Sequence, residues 1–199
     1  LIATPTASGK TEAAFLPVIT KLYNKPSKSV GVLYIAPLKA LINDQFSRIE
    51  ELLEEAYIPV SKWHGDVSVN MKNRLLKNPS GILQTTPESL EAMIMKRKEQ
   101  AVKLFSDLRY IIIDEVQNFI GEERGTQLIS LLERLSKLTG TVPRRIGLSA
   151  TLGDIEGTEK WLSGGTGRLC VTPETGIKKR KVMVMAEHFY EFPLQDEKH

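Results

Sequence analysis

Gly9, Lys10 and Thr11 lie near the beginning of this 199-residue chain, and Asp114 and Glu115 follow roughly a hundred residues later. The stretch TPTASGKT at 4–11 matches the template G-x-x-x-x-G-K-[ST] at its last three positions, with Thr4 in place of the first glycine. Such a loop turns backbone N–H groups, and the N-terminus of the helix behind them, toward an anion. Gly9 permits close backbone approach, Lys10 reaches the β- and γ-phosphates of a nucleotide, and Thr11 offers a hydroxyl to Mg²⁺. Thr6, Ala7, Ser8, Gly9, Lys10, Thr11 and Glu12 are the expected nucleotide-binding set. Asp114 and Glu115 end the apolar run YIII, so both carboxylates emerge at the carboxyl end of a buried strand, where open α/β sheets place their ligands. Asp114 there can hold Mg²⁺ through water, and Glu115 can polarise a water for in-line attack. Lys10, Asp114 and Glu115 are the expected catalytic group, with Thr11 and Asp114 facing the metal. Each signal has a plain alternative: a turn with a surface lysine, or two acids in a solvated turn.

The elements around these residues must set them side by side. Apolar runs at 30–36, 81–86, 109–114 and 144–150 read as buried strands, and 58–64 as a shorter one. Helical patterns at 41–56, 68–77, 87–97, 125–138 and 154–163 fall between or after them, with Pro87 at a first helical turn. A helix also follows the GKT triplet, with Ala13, Ala14, Val18, Ile19 and Leu22 as its core face and Pro17 as a possible bend. This alternation predicts an α/β fold: an open, mainly parallel sheet with helices on both faces. With the two acidic and phosphate signals it points to a P-loop NTPase. Residues 1–176 form the expected domain, and the more basic 177–199 an extended linker or hinge.

Bulk properties narrow the classes. Net charge is +3 with 26% charged and 41% hydrophobic residues, ordinary for a soluble globular protein and compatible with a polyanionic partner. A single cysteine, Cys170, excludes an internal disulfide framework and a multi-cysteine metal site, and fits a reducing cytoplasm. No apolar run approaches the roughly 18 residues that span a bilayer, so no membrane partner is expected. The first residue is Leu1, which reads as a piece of a longer protein.

The ordered stretches PTASGKT, APLKALINDQ, TTPESL, DEVQ and SAT resemble the first RecA-like motor domain of a superfamily 2 helicase, and PLKALINDQ, WHGD and TPESLEAM are most similar to the Lhr-like branch. The similarity runs from Thr4 to Thr151, about three quarters of the chain. It implies an ATP-dependent motor that moves on single-stranded nucleic acid, with a lean toward DNA over RNA. Pro37, Leu38 and Lys39, and Thr86, Pro87 and Glu88, then begin junctions whose amides face strand phosphates, with Gly65 and Asp66 in a nearby loop. Both junctions sit where free N–H groups and a helix dipole attract anions; both are also ordinary helix N-termini. Ser149 and Thr151 are implied to couple the nucleotide site to the strand, and Gln117 to join that polar cluster without direct chemistry. The resemblance also implies a second RecA-like domain that closes on ATP and supplies arginine fingers, so these residues alone are expected to turn over little ATP. Two rival readings are a P-loop kinase or NTPase acting on a small molecule, which leaves TTPESL and SAT unexplained, and a non-enzymatic nucleic-acid-binding module.

Overall fold

The five apolar runs become five strands of one six-stranded sheet, and a two-residue strand ahead of the GKT loop is the sixth. The computed structural model describes residues 1–5, 9–150 and 152–173. The strands are β1 (Ile2–Ala3), β2 (Val32–Ile35), β3 (Val60–Trp63), β4 (Ile82–Thr85), β5 (Tyr110–Ile113) and β6 (Arg144–Ser149). They lie in the order β1-β6-β5-β2-β4-β3, and every pairing is parallel. Between them run α1 (Lys10–Asn24), α2 (Lys39–Glu54), α3 (Val69–Lys77), α4 (Pro87–Lys96), α5 (Lys98–Leu104) and α6 (Glu123–Thr139), with α7 (Ile155–Ser163) after β6.

The period-2 geometry of a strand divides the core in two. Val32, Tyr34, Ile82, Ile112 and Leu148 face the layer that buries Phe15, Val18 and Leu22 of α1 with Ile42, Ile49 and Leu53 of α2. Leu33, Ile35, Leu83, Ile111 and Ile113 face the opposite layer, built from Leu90 and Met93 of α4, Leu104 of α5, Leu128 and Leu132 of α6 and Leu162 of α7. The steps β1 to β2 and β2 to β3 cross the sheet in one direction, over the α1–α2 face. The steps β3 to β4, β4 to β5 and β5 to β6 cross in the other direction, over the opposite face. One handedness of parallel crossover requires this division.

Local differences from the sequence reading have physical causes. On α1, Ala13 is exposed and Phe15 is fully buried beside Tyr34, with ring centroids 5.8 Å apart. The buried face therefore sits a little further round the helix than the aliphatic positions alone suggested. Pro17 lies within α1, which continues to Asn24. Helix α5 was not legible, because it follows a break at Arg97 and only Ala101 and Leu104 anchor it. The expected boundary at 176 and the linker 177–199 lie outside the described residues.

Candidate active site

Because all six strands run the same way, their carboxyl ends share one edge of the sheet. Read across that edge, the loop after β1 comes first, then Ser149 ending β6, Asp114 after β5, Pro37 after β2, Thr86 after β4, and His64-Gly65 after β3. Among the described residues, those expected to handle nucleotide thus occupy one half of the rim and those expected to read a strand occupy the other.

On the nucleotide half, Gly9 caps α1 with φ 82°, a left-handed conformation that glycine adopts without a Cβ penalty. Lys10 opens the helix, and its Nζ donates to the carbonyl oxygens of Thr4 at 2.9 Å and Pro5 at 3.4 Å. Glu12 turns to Arg48 of α2 in an ion pair, and its carboxyl is held below the usual range by a backbone N–H and by that guanidinium, against the effect of burial. Thr11 lines a small cleft with Glu12, Arg48 and Leu52. Thr6, Ala7, Ser8 and Thr151 lie outside the described residues.

Asp114 is 7% exposed. Its Oδ1 accepts the Glu115 N–H at 2.9 Å and its Oδ2 accepts the hydroxyl of fully buried Tyr34. Burial pushes its carboxyl pKa up, while Tyr34, the Glu115 N–H and the nearby Lys10 ammonium act in the opposite direction. Lys10 and Asp114 are therefore within electrostatic reach across the β1–β5 half of the rim. Nothing in the sequence singles out Tyr34; its only signal there is a hydroxyl inside the apolar run VLYI.

Glu115 has φ 49°, one of two non-glycine residues at positive φ among those described. A left-handed conformation costs an ordinary residue about 1–2 kcal/mol, and such strain persists where the surroundings over-determine it, often at functional sites. Here it starts a 3₁₀ turn (Val116–Asn118). Gln117 Nε2 donates to Glu115 Oε2, and Ser149 Oγ donates to Gln117 Oε1 at 2.5 Å. Gln117 thereby bridges the end of β6 to the Glu115 carboxylate.

On the other half, Leu38 precedes α2 in an extended conformation, with no side-chain cap and no acidic residue in the first turn. The first amides of α2 are left to the dipole's positive end. Lys39 pairs with Asp66 at 3.2 Å, drawing the β3 loop to this junction, and Gly65 leaves room beside the Lys39 ammonium. Thr86 caps α4, accepting the Ser89 N–H at 3.3 Å, and Pro87 occupies the first turn. Glu88 is engaged by Arg124 of α6, which also donates to the Pro37 carbonyl at 2.6 Å. Burial pushes the Glu88 carboxyl up, but a backbone N–H, Arg124 and the Thr86 hydroxyl outweigh it and hold the pKa below the ordinary value. Trp63 and His64 are 6% and 4% exposed, so both pack rather than present themselves to a strand.

The donor chemistry fits magnesium. Mg²⁺ takes hard oxygen ligands, commonly one or two carboxylates with substrate phosphates and water. Asp114 and the Thr11 hydroxyl are such groups, and the Asp114 carboxylate is already oriented by its two hydrogen bonds.

Comparison with known proteins identifies the family of this fold. The ATP-dependent helicase Lhr-Core of Methanocaldococcus jannaschii is 35% identical over 98% of this chain, which spans 25% of that protein. The Lhr helicase/probable uracil glycosylase of Mycolicibacterium smegmatis is 37% identical over 87% of the chain and is spanned to 12%. The chain thus covers a quarter or less of these relatives' length. Among solved structures, Mycobacterium smegmatis helicase Lhr bound to ssDNA and AMP-PNP superposes with a TM-score of 0.73 at 35% identity, over 87% of this chain and 23% of that one. The DUF1998 helicase MrfA bound to DNA and AMPPNP gives 0.75 at 30% identity, over 87% and 24%. Residues 1–158 match the model of the DEAD/DEAH box helicase family, to which this chain belongs, as a RecA-like motor domain.

Proposed function

We propose that this chain is the ATP-binding motor domain of a helicase or translocase that couples ATP hydrolysis to movement along single-stranded nucleic acid, DNA rather than RNA. The observation that carries the reading is the division of the rim. Phosphate-handling residues stand over β1, β6 and β5, phosphate-attracting helix junctions stand over β2 and β4, and hydrogen bonds join neighbours within each half, through Gln117 in the first and Arg124 in the second. A kinase acting on a small molecule has use for the first half and none for the second. The lean toward DNA rests on the relatives whose solved structures contain it.

In this reading Gly9, Lys10 and the first amides of α1 bind the triphosphate, with Thr6, Ala7 and Ser8 completing the loop. Thr11, and Asp114 through water, would hold magnesium, which would supply charge neutralisation at the phosphates without an all-protein cage. Lys10 leaves its loop carbonyls for the β- and γ-oxygens and offsets the negative charge that develops there. Glu115 accepts a proton from the attacking water as the water oxygen bonds to γ-phosphorus and the bond to the β-phosphate oxygen breaks. Gln117, itself held by Ser149, holds the Glu115 carboxylate, so movement at the end of β6 changes its aim. Residues 1–176 form the domain, and 177–199 lead toward a second RecA-like domain whose arginine fingers are worth about 10³–10⁵ in turnover where such groups have been measured. Isolated, the 199 residues would then hydrolyse ATP slowly. Among the described residues no helix is long and apolar enough to cross a membrane, and a cytoplasmic site of action is proposed.

The test is ATP hydrolysis by the full-length protein carrying this sequence, titrated with single-stranded DNA and RNA at one salt concentration, because backbone affinity is strongly salt-dependent. Stimulation by DNA, and weaker stimulation by RNA, is expected. A turnover indifferent to both polymers overturns the motor reading and favours the small-molecule NTPase.

A further inference from the structure

Glu88 poses a puzzle on a face proposed to attract phosphates. A carboxylate there repels the strand, yet it sits in the first turn of α4, beside the amides that would receive a phosphate. Arg124 accounts for it. The guanidinium Nε donates to Glu88 Oε1 at 2.8 Å, while Nη2 lies 2.7 Å from the same oxygen and donates to the Pro37 carbonyl at 2.6 Å. The guanidinium also lies over the ring of Phe119, 5.3 Å from its centroid.

Three elements are thereby tied to one side chain: the end of β2, the start of α4, and the segment that follows the Asp114–Glu115 pair. The approach of α6 is itself specified. A Cβ on Gly125 would fall 1.9 Å from the Phe119 carbonyl oxygen, so only glycine lets the helix bring Arg124 this close. Phe119 also stacks on Trp161 of α7, with centroids 6.4 Å apart and planes 11° apart, and Trp161 Nε1 donates to the Gly125 carbonyl at 3.3 Å.

We infer that Arg124 is a positioning residue for strand binding: by joining the Pro37 carbonyl to the Glu88 carboxylate over Phe119, it fixes the separation of the two helix N-termini that face consecutive stretches of a single strand's backbone. The inference rests on the proposed function. Glu88 is there to orient Arg124, and the guanidinium offsets its charge toward the strand. Arginine is required because a planar fork bonds a carbonyl and a carboxylate at once, which a lysine ammonium on a flexible stem does not reproduce.

The molecule contains a matched control. Arg134 of α6 pairs with Glu91 of α4 at 3.3 Å, joining the same two helices without touching either junction. Exposed pairs of that kind contribute little. In the full-length protein, affinity for a fluorescein-labelled oligo-dT strand at fixed salt and the strand concentration giving half-maximal ATP hydrolysis are measured together. Arg124→Ala and Arg124→Lys are both expected to weaken each by about tenfold, the effect of losing one charged hydrogen bond, with kcat at saturating strand falling less. Glu88→Gln, which keeps an acceptor and no charge, shifts both in the same direction by less. Arg134→Ala stays within about twofold of wild type. Thermal melting confirms that each variant is folded, and Arg124→Lys and Glu88→Gln carry the test if Arg124→Ala is not. Wild-type affinity in the Arg124 variants overturns the inference, as does an equal loss in Arg134→Ala, which would place the effect in helix packing. A wild-type protein that binds no single strand overturns the proposed function and this inference with it.

Discussion

Arg109 precedes β5 and Asp114 follows it, so one short strand carries a charged group at each end, and the two ends are built on opposite principles. At the amino end, Arg109 binds Asp107 through Nε at 3.1 Å and Nη2 at 2.7 Å, and reaches the carbonyls of Lys25 at 2.5 Å and Pro26 at 3.1 Å. Asp107 also accepts the Lys28 N–H at 2.9 Å, while its own N–H goes to Ser29 Oγ at 2.8 Å. Arg109, chiefly, and the Lys28 amide hold the Asp107 carboxyl below the ordinary range despite partial burial. At the carboxyl end, burial pushes Asp114 up, and its neighbour Glu115 sits at positive φ. One end satisfies every charge it brings in and ties the loop after α1 to the sheet. The other buries a carboxylate that is hydrogen-bonded only by Tyr34 and the Glu115 N–H among the described residues, beside a backbone held at positive φ. Local rules are broken where a ligand is to be bound and kept where the chain only has to fold.

The largest expected effect breaks the carboxyl end alone. Lys10→Ala in the full-length protein lowers ATP turnover by about 10²–10³, the cost of removing one preorganised charge-stabilising donor. Because Lys10 bonds only loop carbonyls among the described residues, the melting temperature is expected to stay close to wild type. A Lys10→Ala protein with near-normal hydrolysis would remove the lysine from the site.

The converse variant addresses the amino end. Asp107→Ala destabilises the fold by roughly 1.5–3 kcal/mol, the range for a hydrogen-bonded charged group, while hydrolysis per folded molecule is retained. Denaturant unfolding checks the first half and a turnover assay the second. A catalytic loss without a stability loss would show that the two ends are not separable.

A smaller effect sharpens the contrast. Since the folded-state pKa of Asp107 is depressed, its contribution is fully present above the unfolded carboxylate pKa of about 3.9 and is lost as pH falls through the lower folded value. The stability gap between wild type and Asp107→Ala is therefore flat near neutrality and closes on acidification. A gap that widened below pH 4 would contradict the depressed pKa.

Much of this contrast could be read from the chain. The run RYIIID marks β5, and its terminal acids fall at the rim because parallel strands present their carboxyl ends together. GKT marks the start of α1 for the same reason. Partners far apart in sequence could not be read. Tyr34 and Asp114 are 80 residues apart, Arg124 and Pro37 are 87 apart, and Ser149 and Gln117 are 32 apart. Each meets its partner only because the strand order places β2 beside β5 and β6 on its other side, and that order is not written in any local pattern. Glu88 was legible as part of a junction, but its carboxylate turns to α6, and nothing in TTPESL announces Arg124.

The central claim is that the Lys10 and Asp114–Glu115 sides of the rim form one ATP site in which Glu115 activates the water. It is tested most directly by Glu115→Gln in the full-length protein, with nucleotide binding and hydrolysis measured on the same sample. ATP affinity near wild type with turnover reduced by about 10²–10⁴, the contribution of a positioned general base, is the predicted result. Hydrolysis at the wild-type rate would contradict it.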